Sequence, residues 1–171
     1  MRVISDPVFA IRCTTRLMDR MRVKPDPIPP PPTTVLGDWY SNVIRIGRTQ
    51  LILAVSERTL LPVILPAVDA KSLPRRMPEY LFDVLKRLDI PLSTIDRELR
   101  EMQQSVIAKT ASRSVLGILN EFTVALHYRD EVDSLANVAL WLAETPCHAG
   151  DSSKATFPDR ATVAALKESL H

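Results

Sequence analysis

The polar segment Lys109–Ser114, Lys-Thr-Ala-Ser-Arg-Ser, carries residue types that bind oxyanions. Ser112 and Ser114 are favoured N-cap residues, and the apolar pattern after them predicts a helix. The start of a helix offers free backbone N–H groups and the positive end of the helix dipole. Lys109 adds a point charge, and Arg113 can make bidentate contacts. The segment therefore predicts either an anion site or a capped helix start with solvated charges.

Two further polar clusters precede this segment. Gly37–Asn42 holds Asp38 and Asn42, whose short side chains suit turns, and the adjacent aromatic residues Trp39 and Tyr40. The aromatic pair either stacks on a base or fills a corner of the core. Glu57-Arg58-Thr59 falls on a predicted tight turn, where Glu57 and Arg58 form either a surface ion pair or part of a site.

The motifs of several common enzyme and nucleotide-binding classes are absent from the sequence. There is no Gly-x-x-x-x-Gly-Lys-Ser/Thr, Gly-x-Gly-x-x-Gly, His-Glu-x-x-His or Gly-x-Ser-x-Gly, and the chain has only 4 glycines. Its 2 cysteines, Cys13 and Cys147, form no Cys-x-x-Cys pair, and its 3 histidines lack metal-binding spacing. We therefore expect no metal site and no cofactor.

Composition favours a small globular protein. The chain has 171 residues, of which 46% are apolar and 25% charged, and its net charge is only +2. Residues 1–60 carry 9 basic and 5 acidic groups, so the N-terminal third is mildly basic. No apolar run of about 18 residues is present, and Asp6 and Pro7 interrupt any signal-peptide pattern. These features predict a cytoplasmic location without membrane contact.

Hydrophobic patterning predicts strands first and helices afterwards. β-branched and apolar runs indicate a first strand over 8–13 and an antiparallel meander over 42–46, 50–55 and 60–65, with the last strand at an edge because of Pro62. The 50–55 run is typical of a strand buried on both faces. A short helix with a threonine cap is expected over 14–21. Apolar spacing of 3.6 then predicts helices over 77–89, 95–106, 113–127, 132–142 (capped by Asp130) and 159–170.

This order predicts an α+β fold: a small antiparallel meander with helices packed on one face and a helical C-terminal half. We expect one domain over residues 1–145, with a loop and short terminal helix over 146–171 appended to it. The tract Pro25–Pro32 has six prolines in eight residues. It favours polyproline II, as a stiff spacer or surface loop or as a ligand for a proline-binding groove.

Three separated blocks of this sequence resemble a family of small bacterial proteins described as a domain of unknown function. The blocks are Thr34–Tyr40 with Asn42, Glu57–Pro62, and Ala108–Thr110 with Arg113–Gly117 and Asn120. The resemblance extends to about residue 125 and implies a bacterial, cytosolic, single-domain protein; it implies no activity. The same blocks hold the polar residues described above, which suggests that several of them line one cleft: Asp38, Asn42, Arg58, Lys109, Thr110, Arg113, Ser114 and Asn120.

Three functions remain open on the sequence alone. The first is a binding module for a phosphate-bearing ligand, either a nucleotide or a nucleic-acid backbone. The second is a protein-interaction or antitoxin-like regulatory partner that uses the apolar stripe from Val132 to Leu142, including Trp141. The third is a small metal-independent hydrolase or nuclease-like enzyme, with Glu57 or Asp38 as general base and with Lys109 and Arg113 stabilising negative charge.

Overall fold

A computed structural model describes residues 6–129, 133–150 and 153–170 of the chain. The fold is α+β, as the sequence predicts. Its elements in chain order are β1 (Phe9–Cys13), α1 (Thr15–Met21), β2 (Trp39–Ile46), β3 (Thr49–Ser56), β4 (Pro62–Pro66), a 3-10 turn (Ala70–Ser72), α2 (Leu73–Arg87), α3 (Leu92–Arg100), β5 (Ser105–Lys109), α4 (Arg113–His127), α5 (Leu135–Ala143) and α6 (Pro158–Glu168).

The sheet is mixed, with strand order β4-β3-β2-β1-β5. β2, β3 and β4 form the predicted antiparallel meander, and β4 lies at an edge. β1, however, runs parallel to both β2 and β5, so a purely antiparallel sheet was wrong. Parallel neighbours need a long crossover, and α1 with the proline tract supplies one between β1 and β2. The three elements of this β1–α1–β2 unit were predicted in this order, but the parallel pairing of its two strands was not.

β5 is the second correction, because a helix was predicted through residue 106. α3 ends at Arg100, and the chain re-enters the sheet beside β1 with five paired positions, from Phe9 opposite Ser105 to Cys13 opposite Lys109. The apolar spacing around Val106 fits a helix, whereas the local run Val106-Ile107 is β-branched and fits a strand. Pairing with β1, which is remote in sequence, decides between them.

The remaining helices follow the predicted pattern with shifted ends. α2 begins four residues earlier than expected, with a proline in its first turn, and α4 matches the predicted range. The cap predicted at Asp130 lies outside the described residues; α5 is capped instead by Ser134, whose hydroxyl accepts from the Asn137 N–H (3.2 Å). Thr14 caps α1 as predicted.

The sheet is covered on both faces around β3. Ile52 to Val55 are all fully buried, although successive residues of a strand point to opposite faces. The predicted packing of helices on one face alone would leave every second residue of β3 exposed. The sheet therefore has cover on its other face as well. α4 packs against β2 and β3, while α2 and α5 pack against β4.

The terminal helix is attached through a buried polar contact. The hydroxyl of Thr162, which is fully buried, donates to Thr59 Oγ1 (2.9 Å), and Leu166 enters the core beside it. α6 is thereby fixed to the turn between β3 and β4, which also holds Glu57 and Arg58. Among the described residues, no helix is both long enough and apolar enough to cross a membrane.

Candidate anion-binding site

A largely buried ion pair joins Asp38, one of the polar residues identified from the sequence, to Arg12. Asp38 is 2% exposed; its Oδ1 accepts from the Ala10 N–H (2.8 Å) and its Oδ2 from Arg12 Nε (3.1 Å). Arg12 Nη1 also donates to the carbonyl oxygen of Lys109 (3.0 Å), so the residue before β2 and the last residue of β5 both hold this guanidinium. Arg12 was not predicted from the sequence, although a charged residue inside the apolar run Val8–Cys13 was the signal that could have identified it.

The turn between β3 and β4 lies against Gly37. Gly37 has φ +78, and a Cβ placed there would lie 2.8 Å from Glu57 Cγ and 3.0 Å from Arg58 Cγ. The Glu57 N–H donates to the Asp38 carbonyl oxygen (2.9 Å). Glycine is required here both for the positive φ and for this close approach.

Arg58 is held by the segment before β2. Its Nη1 donates to the carbonyl oxygens of Thr34 (2.9 Å) and Val35 (3.3 Å). The same segment is fixed from α3, because the buried carboxylate of Glu98 accepts from the N–H groups of Val35 (2.9 Å) and Leu36 (3.0 Å). Burial raises the pKa of Glu98, and these two hydrogen bonds partly offset the rise. The position of Arg58 is thus set by elements far apart in sequence.

The start of α4 is fixed to the sheet through Tyr40. The Ser112 N–H donates to Tyr40 Oη (3.0 Å), and the Ser112 hydroxyl accepts from the Val115 N–H (3.3 Å) as an N-cap. The backbone N–H groups of Arg113 and Ser114 have no acceptor among the described residues. At the positive end of this 15-residue helix, two donors therefore lack a hydrogen-bond partner within the described part of the chain.

Two cavities lie beside the segment that joins β5 to α4. The first, which we name the amide cavity, has a volume of about 360 Å³ and is lined by Glu57, Arg58, Leu60, Ser112, Ser114, Val115, Ala149 and Thr156. The second, the proline cavity, has a volume of about 510 Å³ and is lined by Arg12, Pro25, Asp26, Pro27, Pro29 and residues 108–111.

Glu57 is the titratable group of the amide cavity with a shifted pKa. Burial, and then the nearby Asp38 carboxylate, raise the pKa of Glu57 above its ordinary value of 4.5. A hydrogen bond from the Asp38 backbone to the Glu57 carboxylate and the charges of Arg58 and Arg12 partly offset the rise. The cavity therefore contains a carboxyl group whose protonated form is favoured relative to a free glutamate.

Four of the eight predicted site residues line the two cavities. Arg58 and Ser114 line the amide cavity, whereas Lys109 and Thr110 line the proline cavity. Arg113 is exposed at the first position of α4, between these two groups. The residues expected to line a single cleft are thus distributed over the amide cavity and the proline cavity.

The other three predicted residues have different surroundings. Asp38 is enclosed and paired with Arg12. Asn42 Oδ1 accepts from the Thr14 hydroxyl (2.6 Å) at the cap of α1. Asn120 is exposed on α4, seven residues and about 10 Å along the helix axis from Arg113. An added Cβ at Gly117 on α4 would have no atom of the described residues within 4 Å, so close packing there does not explain this glycine.

Metal and thiol chemistry has little support in the described part of the chain. No group of three His, Cys, Asp or Glu residues there could hold a metal ion. Cys13 and Cys147 are free and buried. Burial raises the pKa of Cys13 to about 12 and that of Cys147 to about 11, with the Glu121 charge contributing to the latter. Both thiols are thus unreactive at neutral pH.

Comparison with known proteins places the chain in a family. It belongs to the family described as Domain of unknown function DUF6933, whose match spans residues 10–161. The match extends well beyond residue 125, where the resemblance was expected to end, and covers most of the segment after residue 145. No curated protein and no solved structure is significantly similar to the chain.

Proposed function

We propose that this protein binds a phosphate-bearing ligand, a nucleotide or a nucleic-acid backbone, at the start of α4. The observation that carries the proposal is the amide cavity, which is lined by Arg58, Ser112 and Ser114 at the start of α4. The N–H groups of Arg113 and Ser114 at this helix start have no acceptor among the described residues. Backbone N–H groups at a helix start can donate to phosphate oxygens, and the helix dipole favours the negative charge.

The side chains around these amides supply further donors. Ser112 and Ser114 line the cavity with hydroxyl groups 3.3 Å apart. Arg58 uses Nη1 for backbone carbonyl oxygens, which leaves Nε and Nη2 without an acceptor among the described residues. Because the guanidinium is already anchored, little side-chain entropy remains to be lost when an anion binds.

Glu57 opposes an anion in this cavity when it is ionised. Its raised pKa reduces that opposition, because an anion and a protonated carboxyl group do not repel each other. The proposal therefore predicts that the affinity for an anion rises as the pH falls.

Two substitutions at one position isolate the contribution of the backbone. Proline is tolerated at the first position of a helix, and Ser112 (φ −87, ψ 118) has the extended conformation that proline prefers before it. Arg113→Pro removes both the side chain and one N–H donor, whereas Arg113→Ala removes only the side chain. We expect Arg113→Pro to bind sulfate about fivefold more weakly than Arg113→Ala, the loss of roughly one hydrogen bond.

The measurement is isothermal titration of sulfate at low ionic strength, with circular dichroism to verify the fold. Arg75→Ala, which removes an exposed cation on α2, is the matched charge control and should bind sulfate as the wild type does. Equal affinity in the proline and alanine variants would contradict the proposal, as would no sulfate binding by the wild type. Titrations with a mononucleotide and with single-stranded RNA separate the two ligand sources, since affinity for the polymer should fall much more steeply with added salt.

A second candidate function, phosphoester hydrolysis, is favoured by one observation. Glu57 is partly buried and lines the same cavity as Ser114, whose N–H has no acceptor among the described residues. The raised pKa of Glu57 suits a general acid or base. Asp38, the alternative base, is enclosed and paired with Arg12. If this function is correct, wild-type protein hydrolyses bis(p-nitrophenyl) phosphate and Glu57→Gln does not; equal rates in both proteins would contradict it.

The interaction hypothesis gains less from the structure. Val132 lies outside the described residues. Within α5, Ala139, Leu142 and Ala143 are buried, and the helix packs against β4. Trp141 is 38% exposed and stacks with Arg129 at 4.7 Å. Most of the apolar stripe is therefore used inside the fold.

A further inference from the structure

We propose that the proline cavity is a second site and binds a nucleoside monophosphate, with its phosphate at Arg12 and Lys109 and its base against the proline rings. The proposal goes beyond the anion site at α4 and does not rest on it. It is built from a fixed guanidinium, a rigid apolar wall and an acidic group at the rim.

The anion end of the cavity is preorganised. Arg12 Nε is engaged by Asp38 and Nη1 by the Lys109 carbonyl oxygen, so the guanidinium has one orientation while its Nη2 has no acceptor among the described residues. Arg12 is largely enclosed, with a side chain 19% exposed, and it lines the cavity. Binding an oxyanion there costs little side-chain entropy.

Lys109 supplies the net positive charge that this end needs. Asp38 neutralises Arg12, so the pair by itself offers hydrogen-bond donors rather than excess charge. Lys109 is exposed at the end of β5 and lines the same cavity, together with the hydroxyl-bearing Thr110. A phosphate group uses both features: donors in a fixed geometry, and a mobile cation.

The wall of the cavity suits a flat ring. Pro25, Pro27 and Pro29 have rigid rings and no N–H group, so they present apolar surface. The tract is anchored to the edge of the sheet, because the Asp26 N–H donates to the Ile107 carbonyl oxygen (2.7 Å). An anchored apolar wall can bury one face of an aromatic ring without first having to be ordered.

Asp26 selects the kind of ring. Its Oδ1 accepts from the Ile28 N–H (3.0 Å), and the carboxylate retains further acceptor capacity at the rim of the cavity. An ionised carboxylate accepts hydrogen bonds only, so it favours a base with adjacent donors, as on guanine, over one with mainly acceptors, as on uracil. The volume of about 510 Å³ falls within the usual range for small-molecule sites.

The test compares four probes by NMR titration of the full chain: guanosine, adenosine and uridine monophosphates, and ribose 5-phosphate. We expect the guanosine nucleotide to bind about five- to tenfold more tightly than the uridine nucleotide, the effect of one or two hydrogen bonds, and ribose 5-phosphate to bind most weakly. Equal binding of all four probes, or of none, would overturn the proposal.

Three variants locate the binding. Lys109→Ala should weaken all four probes, whereas Asp26→Asn should remove mainly the preference for guanosine. Ala111→Phe places a large side chain at an exposed lining residue and should exclude every nucleotide from the proline cavity without disturbing the core. Arg75→Ala is the charge control. Unchanged nucleotide shifts at the lining residues in Ala111→Phe would refute the location. Because the comparison of Arg113→Pro with Arg113→Ala reports on the start of α4 and Ala111→Phe reports on the proline cavity, the two proposals fail independently.

Discussion

Replacing Glu57 with glutamine tests whether the amide cavity binds anions. At neutral pH the wild-type carboxylate repels an anion bound at the start of α4, and the neutral isostere does not. Two unit charges 4 Å apart interact by about 1 kcal/mol in water and by about 4 kcal/mol at an effective dielectric constant of 20. Since Glu57 is only partly buried, we take the lower value, which predicts that Glu57→Gln binds sulfate at least about fivefold more tightly at pH 7.

The same repulsion predicts the direction in which sulfate affinity changes with pH. The pKa of Glu57 is raised above 4.5, so lowering the pH from 7 increases the protonated fraction of the carboxyl group and relieves the repulsion. Sulfate stays a dianion over this range, so we expect wild-type affinity to rise as pH falls and the Glu57→Gln curve to stay nearly flat.

Protein stability offers a second check on this reasoning. A carboxyl group whose folded pKa is raised stabilises the fold when protonated, and that stabilisation is lost as pH rises through the folded pKa. Glu57→Gln should therefore be no less stable than wild type at pH 7. Glu79→Gln, at an exposed position on α2, is the matched control and should change neither the sulfate affinity nor the stability. If Glu57→Gln binds sulfate no more tightly than wild type, the electrostatic account of the cavity is refuted.

Three other predictions concern the elements that hold the site. Gly37→Ala should lower the free energy of unfolding by about 1–3 kcal/mol in urea titrations, because alanine is strained at φ +78 and collides with the next turn. Asp38→Ala should cost about 3–5 kcal/mol by the same measurement, since it leaves Arg12 enclosed and unpaired, and Asp38→Asn should cost less because it keeps an acceptor. Cys13 and Cys147, whose pKa values are about 12 and about 11, should react with a thiol reagent at pH 8 far more slowly in the folded protein than in urea; equal rates would contradict their burial.

Features that depend on local sequence were predictable, and α4 shows why. Its serine cap and its apolar period lie within one continuous segment, so the predicted range 113–127 agrees with the structure. β5 is the opposite case. Its identity depends on pairing with β1, nearly a hundred residues away, and the helical spacing around Val106 could not reveal that pairing.

The same distinction applies to the candidate site. Arg58 and Ser114, which the sequence analysis assigned to one cleft, line the same cavity beside the start of α4. The division into two cavities could not be predicted, because it depends on the parallel placement of β5 and on Arg12, a single charge within an apolar strand. The proline tract was interpreted as a stiff spacer or surface loop or as a ligand; its hydrogen bond to Ile107, which was not predicted, holds it beside the sheet edge, where it lines a cavity.

The position of both cavities follows from one short connection. Because β5 pairs in parallel with β1, the chain leaves the sheet next to Arg12, and only residues 110–112 separate β5 from α4. Such a short link keeps the first turn of α4 beside the sheet, where the Ser112 N–H is bound by Tyr40. With that amide satisfied, the donors of this helix start that lack an acceptor within the described part of the chain are those of Arg113 and Ser114, and the carbonyl of Lys109 is already hydrogen-bonded to Arg12. Ser112 and Ser114 therefore line one cavity and the fixed guanidinium of Arg12 lines the other, which is why two cavities, rather than one, follow from this topology.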